Sequence, residues 1–365
     1  MSDAADVLVL GGGPAGCAAA LRCCALGLSV QIIERRAARG GRACNGWIGP
    51  AGAGLCESLG LDAARIGAER FSGLRLHTWD IRRHVDVSEP DIWGWVVDRS
   101  PFDDALFQAA IQAGAVGVSG VAAEQVTLGE SVVRLRLGDG REALGRTLLL
   151  ADGLHSYAAG AANLTSAGRT PRVPQCLYAE FEVPASAAGL EIVIGNNRAG
   201  LIATVTRKGT HARLSLLTRG AQAELRAAFQ PLLAAAQQAG LLPPGPTPEI
   251  QAHPSPAGLA LDLDTHVGKR CLLLGDAGGF VSAFSNEGIY PAMMSGVLAA
   301  EAVARALKAP VPQDELASFG VEWRTRLADY LRMPNTDLSL LVPLVFNNPQ
   351  MCLRVARAFL HGQAF

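Results

Sequence analysis

The sequence predicts an α/β fold with an α+β insertion: a Rossmann-like dinucleotide-binding domain, a β-sheet domain set into it, and a C-terminal helical segment. Three observations carry that prediction. An apolar run at residues 7–10 leads into Gly11, Gly13 and Gly16 and then an Ala-rich helical run. Two more apolar strands, at 147–150 and 271–274, end in Ala-Asp-Gly and Gly-Asp-Ala. Between them, residues 154–265 switch to alternating, β-rich segments.

The first unit is VLVLGGGPAGCAAALRCCAL, residues 7–26. Each glycine has its own task in a GxGxxG turn. Gly11 permits the tight turn out of the strand, Gly13 lets a pyrophosphate approach the backbone, and Gly16 lets the helix pack close to the sheet. Pro14 and Ala15 belong to the same turn, where free N–H groups and the helix dipole favour phosphate. The second strand, Val30–Glu34, ends in an acid 23 positions after Gly11, where a carboxylate meets the adenosine ribose. Arg35 follows it on the adenosine side.

Residues 35–56 are rich in Gly, Ala and Arg without periodicity and read as a long functional loop, closed by a short helix at 57–61. Residues 74–87 read as a strand pair turning at 80–83, and 93–97 as a further strand. Ser100 and Pro101 mark a helix start, as N-cap and first helical residue, and the helix stops at Gly114. Strands follow at 116–121 and 132–137. In the insertion, strands are expected at 177–183, 191–195, 201–207 and 212–218, a helix at 221–239 and a proline-rich connector at 243–256. A helix at 287–307 follows the last apolar strand. Amphipathic helices broken by Pro334, Pro343 and Pro349 make up the tail. The implied boundaries are 1–72, 98–153 and 266–308 for the cofactor domain, 73–97 and 154–265 for the substrate domain, and 309–365 for the tail.

With 365 residues, 49% hydrophobic and 18% charged, the chain has a sizeable core. A net charge of −1 leaves no electrostatic footprint for nucleic acid. The eight cysteines form no CxxC and no zinc spacing, which predicts no metal and fits reduced thiols in a cytoplasm. The apolar N-terminal run has acidic flanks at Asp3 and Asp6, unlike a signal peptide. No apolar stretch is long enough to span a bilayer. The run LSLLVPLVF at 338–346 reads as buried packing, or as contact of the C-terminal helices with a membrane surface or a partner protein.

The two strand-end motifs bear on the cofactor. LLLADG at 148–153 delivers Asp152 to the ligand edge of an open sheet. LLLGDAGGFVSAFSNEGIYPAMMSG at 272–296 delivers Gly275 and Asp276, then a helix start at Gly288 and Ile289. Asp276 is placed to accept from a ribityl hydroxyl. N–H groups at Gly288 and Ile289 suit the edge of a flavin where negative charge collects. GxGxxG, an arginine before a helix, Asp-Gly and Gly-Asp, in this order, resemble the FAD-dependent monooxygenases of the p-hydroxybenzoate hydroxylase type. Within that superfamily, GDAGGFVSAFSNEGIYPAMMSG and the Cys44-Asn45-Gly46 loop are most similar to the geranylgeranyl reductase branch.

The resemblance implies FAD as cofactor, Arg99 at its phosphates and Cys44 near its ring. Cys44 is otherwise a buried packing thiol. Trp47, Phe280 and Phe284 line the substrate pocket or the core. Tyr290 donates a proton to a substrate carbon or packs as a core tyrosine. His253 is assigned to a turn. No second GxGxxG unit serves NAD(P)H, so NAD(P)H is expected as a transient reductant. The substrate is a small molecule. The expected reaction is hydride transfer from reduced flavin to a polarised C=C bond of an apolar or aromatic substrate. Hydroxylation through a flavin C4a-hydroperoxide is the alternative, and action on a partner polypeptide a third. A halogenase is disfavoured because Trp93-Gly94-Trp95 runs on into Val96-Val97, without Ile-Pro.

Overall fold

The computed structural model describes residues 4–38, 44–170, 174–195, 201–218, 222–334 and 338–363. Its centre is an eight-stranded sheet. Ala5–Leu10 lies parallel between Glu142–Leu150 and Val30–Glu34, with Leu10 in register with Leu150 and Ile33. Val116–Ser119 extends the sheet beyond Val30–Glu34, and Cys271–Leu273 beyond Glu142–Leu150. The apolar runs are explained by burial on both faces, as parallel sheets require: Val7, Leu8, Val9, Leu272 and Leu273 expose nothing. Because these strands run the same way, Gly11, Glu34, Asp152 and Asp276 all emerge at one edge, where open α/β sheets bind ligands.

The glycine-loop helix Pro14–Ala25 packs against Ile289–Ala306. Small residues permit the close approach: a Cβ on Gly296 would lie 2.2 Å from the Ala15 carbonyl oxygen. Helix Pro312–Leu331 packs on the outside of Ile289–Ala306.

A second, five-stranded sheet is built on a long antiparallel pair, Gln175–Ile194 and Ile202–Thr218. Leu74–Thr78 joins it in parallel, followed by His84–Val87. Helix Gln222–Gln238 covers one face, where Phe229 and Leu232 meet Phe181 and Leu214. The C-terminal helix Pro349–His361 covers the other, setting Val355 and Phe359 against Leu76 and Ile192. Its apolar stripe is therefore internal. A three-stranded sheet of Trp47–Ile48, Trp93–Val96 and Glu69–Ser72 joins the two bodies.

Several expectations are corrected. The run 35–56 is not one loop: Trp47–Ile48 is a strand and Pro50–Ser58 a helix opened by Pro50, while 39–43 lie outside the described residues. The helix expected after Ser100 begins at Arg99 with Asp98 as N-cap, and the Asp98 carboxylate pairs with Lys208 instead of capping. Four short strands in the insertion are two long ones, because the small residues at 184–188 let the strand run on through register shifts. The connector 243–256 contains a strand, Gln251–Pro254, paired to Gln175–Tyr178. Ala123–Leu128 was not expected; none of its residues is fully buried, so its sequence carries no apolar period. Among the described residues no helix is long and apolar enough to cross a membrane.

Candidate cofactor and active site

An open cleft of about 760 Å³ lies at the ligand edge of the central sheet. It brings together Gly13, Pro14 and Ala15 from the glycine loop, Arg99, Gly275 and Asp276, and Gly288 and Ile289 at a helix start. It is also lined by Cys44, Asn45, Tyr178, His253, Ser255 and Asn286. A second hollow, about 620 Å³, is lined by Gly11, Glu34, Arg35 and Asp152. The residues expected at the cofactor thus divide between two hollows that share the glycine loop, the arrangement an extended dinucleotide needs.

The glycine loop is fixed by sterics. Gly11 has φ +108°, and a Cβ there would lie 2.2 Å from the Ala151 carbonyl oxygen. A Cβ on Gly16 would lie 2.0 Å from the Gly11 carbonyl oxygen. Glu34 is buried and already bonded: the Gly12 N–H donates to Oε2 at 2.8 Å and the Arg36 N–H to Oε1 at 2.9 Å. It therefore ties the loop to the second strand as well as facing the second hollow. Asp152 is different. Among the described residues its Oδ1 is buried with no protein partner. Burial pushes its carboxyl above the ordinary value, with hydrogen bonds from Ser156 and the backbone acting against the rise. A buried acceptor without a donor is costly. Here it faces the hollow where ribose hydroxyls of a dinucleotide would supply one. The residues present fit FAD in this respect.

Arg99 is held by Asp103, with Nη2 at 3.0 Å from both carboxylate oxygens. Burial alone would lower the guanidinium's pKa; Asp103, then Cys44 and Asp276, more than offset this and raise it. The charge is permanent, and its remaining donors share the cleft with Asp276. Asp276 sits in a single turn, Gly275–Gly278, at the end of Cys271–Leu273. Gly275, at φ +54°, brings that turn against Ala15.

Helix Ile289–Ala306 begins at Gly288. Part of its N-terminus is already taken: the Tyr290 N–H donates to Glu287 Oε1 at 2.8 Å. Tyr290 itself is not brought to the cleft. Its ring packs at 5.0 Å on Tyr330, and its Cβ faces Gly52. The three aromatics expected to line either the substrate pocket or the core lie in the core. Trp47 stacks on Phe359 at 5.1 Å, Phe284 meets Phe359 edge-on at 5.7 Å, and Phe280 packs between His266 and Trp323. The arrival of the C-terminal helix is what buries Trp47 and Phe284. Cys44 does line the cleft, with the Gly46 N–H 3.3 Å from its Sγ.

Four cleft residues escaped the sequence reading. His253 is no turn residue: it pairs across strands with Cys176, and its ring meets Tyr178 edge-on at 6.1 Å. Asn286, at φ +55°, accepts from Ser255 Oγ at 2.6 Å, while its main-chain oxygen accepts from Asn45 Nδ2 at 3.1 Å. Asn286 next to Glu287-Gly288 was the one local signal, since asparagine tolerates a left-handed backbone. Among the described residues no cluster of His, Cys, Asp or Glu is placed to hold a metal ion.

The fold resembles that of FAD-dependent oxidoreductases, and the first part of the sequence is similar to the same class. Residues 6–139 match the family model described as FAD dependent oxidoreductase. A menaquinone reductase of Mycobacterium tuberculosis is 33% identical over 160 residues, 43% of this chain and 39% of that protein. The match thus spans about two fifths of that relative's length. A digeranylgeranylglycerophospholipid reductase of Methanoculleus marisnigri is 27% identical over 335 residues, 89% of this chain and 83% of that one. The crystal structure of a geranylgeranyl bacteriochlorophyll reductase-like protein from Thermoplasma acidophilum superimposes with a TM-score of 0.79 at 19% identity, covering 99% of this chain and 97% of that one.

Asp152→Asn provides a direct check on whether the second hollow takes part in cofactor binding. Losing a charge-assisted hydrogen bond of about 1.5–3 kcal/mol should weaken FAD binding by roughly tenfold or more. The apoprotein should not be destabilised, because a charge that burial disfavours is removed at the same time. Flavin fluorescence quenching reads the first effect and a thermal melt the second. Unchanged affinity would remove Asp152 from the cofactor site.

Proposed function

We propose that the chain is an FAD-dependent reductase that saturates a polarised C=C bond of an apolar substrate, with NAD(P)H as a transient reductant. The observation that carries this reading is the cleft itself, in which the cofactor residues and a polar wall of Cys44, Tyr178 and His253 face one space. The names of the relatives support a lipid or quinone bearing isoprenoid unsaturation. Support for a transient reductant comes from the sequence, which has one GxGxxG unit. The C-terminal helices remain a candidate for contact with a membrane surface or partner through residues such as Leu344, 54% exposed.

When bound, FAD supplies the two-electron chemistry. The chain supplies position, charge and protons. The glycine-loop N–H groups and Arg99 hold the phosphates, Asp276 orients the ribityl chain, and Glu34 and Asp152 hold the adenosine end. Gly288 and Ile289 bring the positive end of a helix to the cleft. Tyr178 keeps its proton at Oη, because burial pushes its pKa well above the ordinary value. Its hydroxyl shares hydrogen bonds with the Cys176 thiol and the Asn286 side chain. Half-buried His253 packs edge-on against it. The pair is suited to protonate the substrate carbon that does not receive hydride.

The test is anaerobic. FAD-loaded protein is reduced with NADPH or NADH, then mixed with a short-chain prenyl quinone or a geranylgeranyl glycerolipid. Reoxidation of the flavin with a product that has gained two hydrogen atoms is expected. Tyr178→Phe should slow that step by about tenfold without changing FAD affinity. Product formed only with oxygen, and hydroxylated, would replace this reading with a monooxygenase. A protein that stays colourless with excess FAD would end both.

A further inference from the structure

Glu287 has no part in the reaction above, yet it lies between Asn286 and Gly288, which both line the cleft. It is 0% exposed. One carboxylate oxygen accepts the Tyr290 N–H at 2.8 Å, and the other accepts the Tyr330 hydroxyl at 2.9 Å. Burial raises its pKa against hydrogen bonds from the Tyr290 and Ile289 backbone and the Tyr330 hydroxyl, and no cation offsets that burial. The groups facing it are few. Helix Pro312–Leu331 contributes Tyr330, and Arg326, which acts on Tyr290. Helix Pro50–Ser58 contributes Cys56, whose thiol is pushed up to about 12 by burial and then by Glu287 and Glu57. None of these supplies a positive charge to the carboxylate itself.

A lone buried carboxylate next to the cleft wall responds to any new negative charge there, because the surrounding dielectric is low. We propose that Glu287 couples proton uptake to reduction of the cofactor: when FAD gains electrons, Glu287 takes up a proton, so that two negative charges do not share the helix start. The proposal rests on the FAD reading. The balance is simple. A two-electron donor delivers two electrons to FAD, which takes one proton from solvent and becomes the anionic reduced form. A second solvent proton converts the Glu287 carboxylate to the acid. The acid O–H then donates to Tyr330 Oη, whose hydroxyl rotates away. Reoxidation returns the second proton. Burial holds Glu287 near neutrality, with a pKa of about 7, so both states are within reach. Glu287 touches neither cofactor nor substrate and acts as a positioning residue for charge.

The test is spectroelectrochemical titration of the FAD-loaded protein from about pH 6 to pH 9. A tenfold change in proton activity shifts a two-electron couple by 29.6 mV per proton taken up. Above about pH 7, wild-type protein should take up two protons per two electrons, a slope of about 60 mV per pH unit. Glu287→Gln keeps the shape and the acceptor oxygen but cannot titrate, and should show one proton, about 30 mV per pH unit. Tyr330→Phe removes a donor to the ionised form and should move the break in slope to higher pH. The reduced-minus-oxidised infrared spectrum of wild-type protein should gain a protonated-carboxyl band that Glu287→Gln lacks. If Glu287→Gln does not hold FAD, the Tyr330→Phe titration and the wild-type infrared band decide. Equal slopes in wild type and Glu287→Gln, or no carboxyl band on reduction, would overturn the proposal. Failure of the functional reading is distinct: it shows beforehand as a protein that binds no FAD.

Discussion

In Gly11→Ala, FAD binding is expected to fall by about 100-fold or more and the apoprotein to lose roughly 3 kcal/mol of stability. The reasons are geometric and independent. A backbone at φ +108° is strained for any residue with a Cβ. The added carbon would stand 2.2 Å from the Ala151 oxygen and 2.6 Å from its carbonyl carbon, both backbone atoms that cannot rotate aside. Relief requires moving either the glycine loop or the strand end carrying Asp152, and each lines the hollows proposed to hold the cofactor. Gly54→Ala is the matched control. Gly54 lies in helix Pro50–Ser58 with nothing within 4 Å of its Cβ position, so alanine there should be neutral or stabilising by about 0.5–1 kcal/mol. Flavin titration and urea denaturation of the two variants measure both effects. A Gly11→Ala protein that binds FAD within a few-fold of wild type would show that the turn does not control the site.

The contrast between legible and illegible residues follows from the range of the forces that place them. Gly11, Gly16, Asp152 and Asp276 are set by their own strand ends, and a parallel sheet puts all such ends on one edge. Their sequence neighbours are enough to find them. His253 and Tyr178 meet only because Gln251–Pro254 pairs with a strand about 75 positions earlier, and nothing near Ala252-His253-Pro254 encodes that pairing. The aromatics could not be assigned between pocket and core for the converse reason. Trp47 and Phe284 stand beside cleft-lining segments, but helix Pro349–His361 arrives from the far end of the chain and buries them with Phe359. An aromatic next to a motif has no local mark that separates pocket from core. Tyr290 shows the same limit on a helix: Ile289 beside it reaches the cleft, while its own side chain turns to Tyr330.

Glu287→Gln is expected to make the apoprotein more stable than wild type at neutral and alkaline pH, with the gain vanishing in acid. Burial, opposed by hydrogen bonds from Tyr290 and Tyr330, raises this carboxyl from 4.5 to about 7. The folded state therefore holds a proton that the unfolded state releases, and stability falls as pH rises between those two values. The contribution is fully present below the unfolded value of 4.5 and is lost as pH climbs through about 7. At 1.36 kcal/mol per unit, the loss in wild type amounts to about 3 kcal/mol by roughly pH 8. Glutamine cannot ionise, so the variant should escape it. His266 acts in the other direction. Burial lowers its pKa from 6.5 to about 4, so its contribution is full above the unfolded value and lost as pH falls toward 4. That loss is common to both proteins and cancels in their difference. Urea denaturation of the two apoproteins across this range isolates Glu287. Curves that run parallel from acid to alkaline pH would mean that the carboxyl pays no penalty for its burial, and that the helix start holds it ionised without a cation.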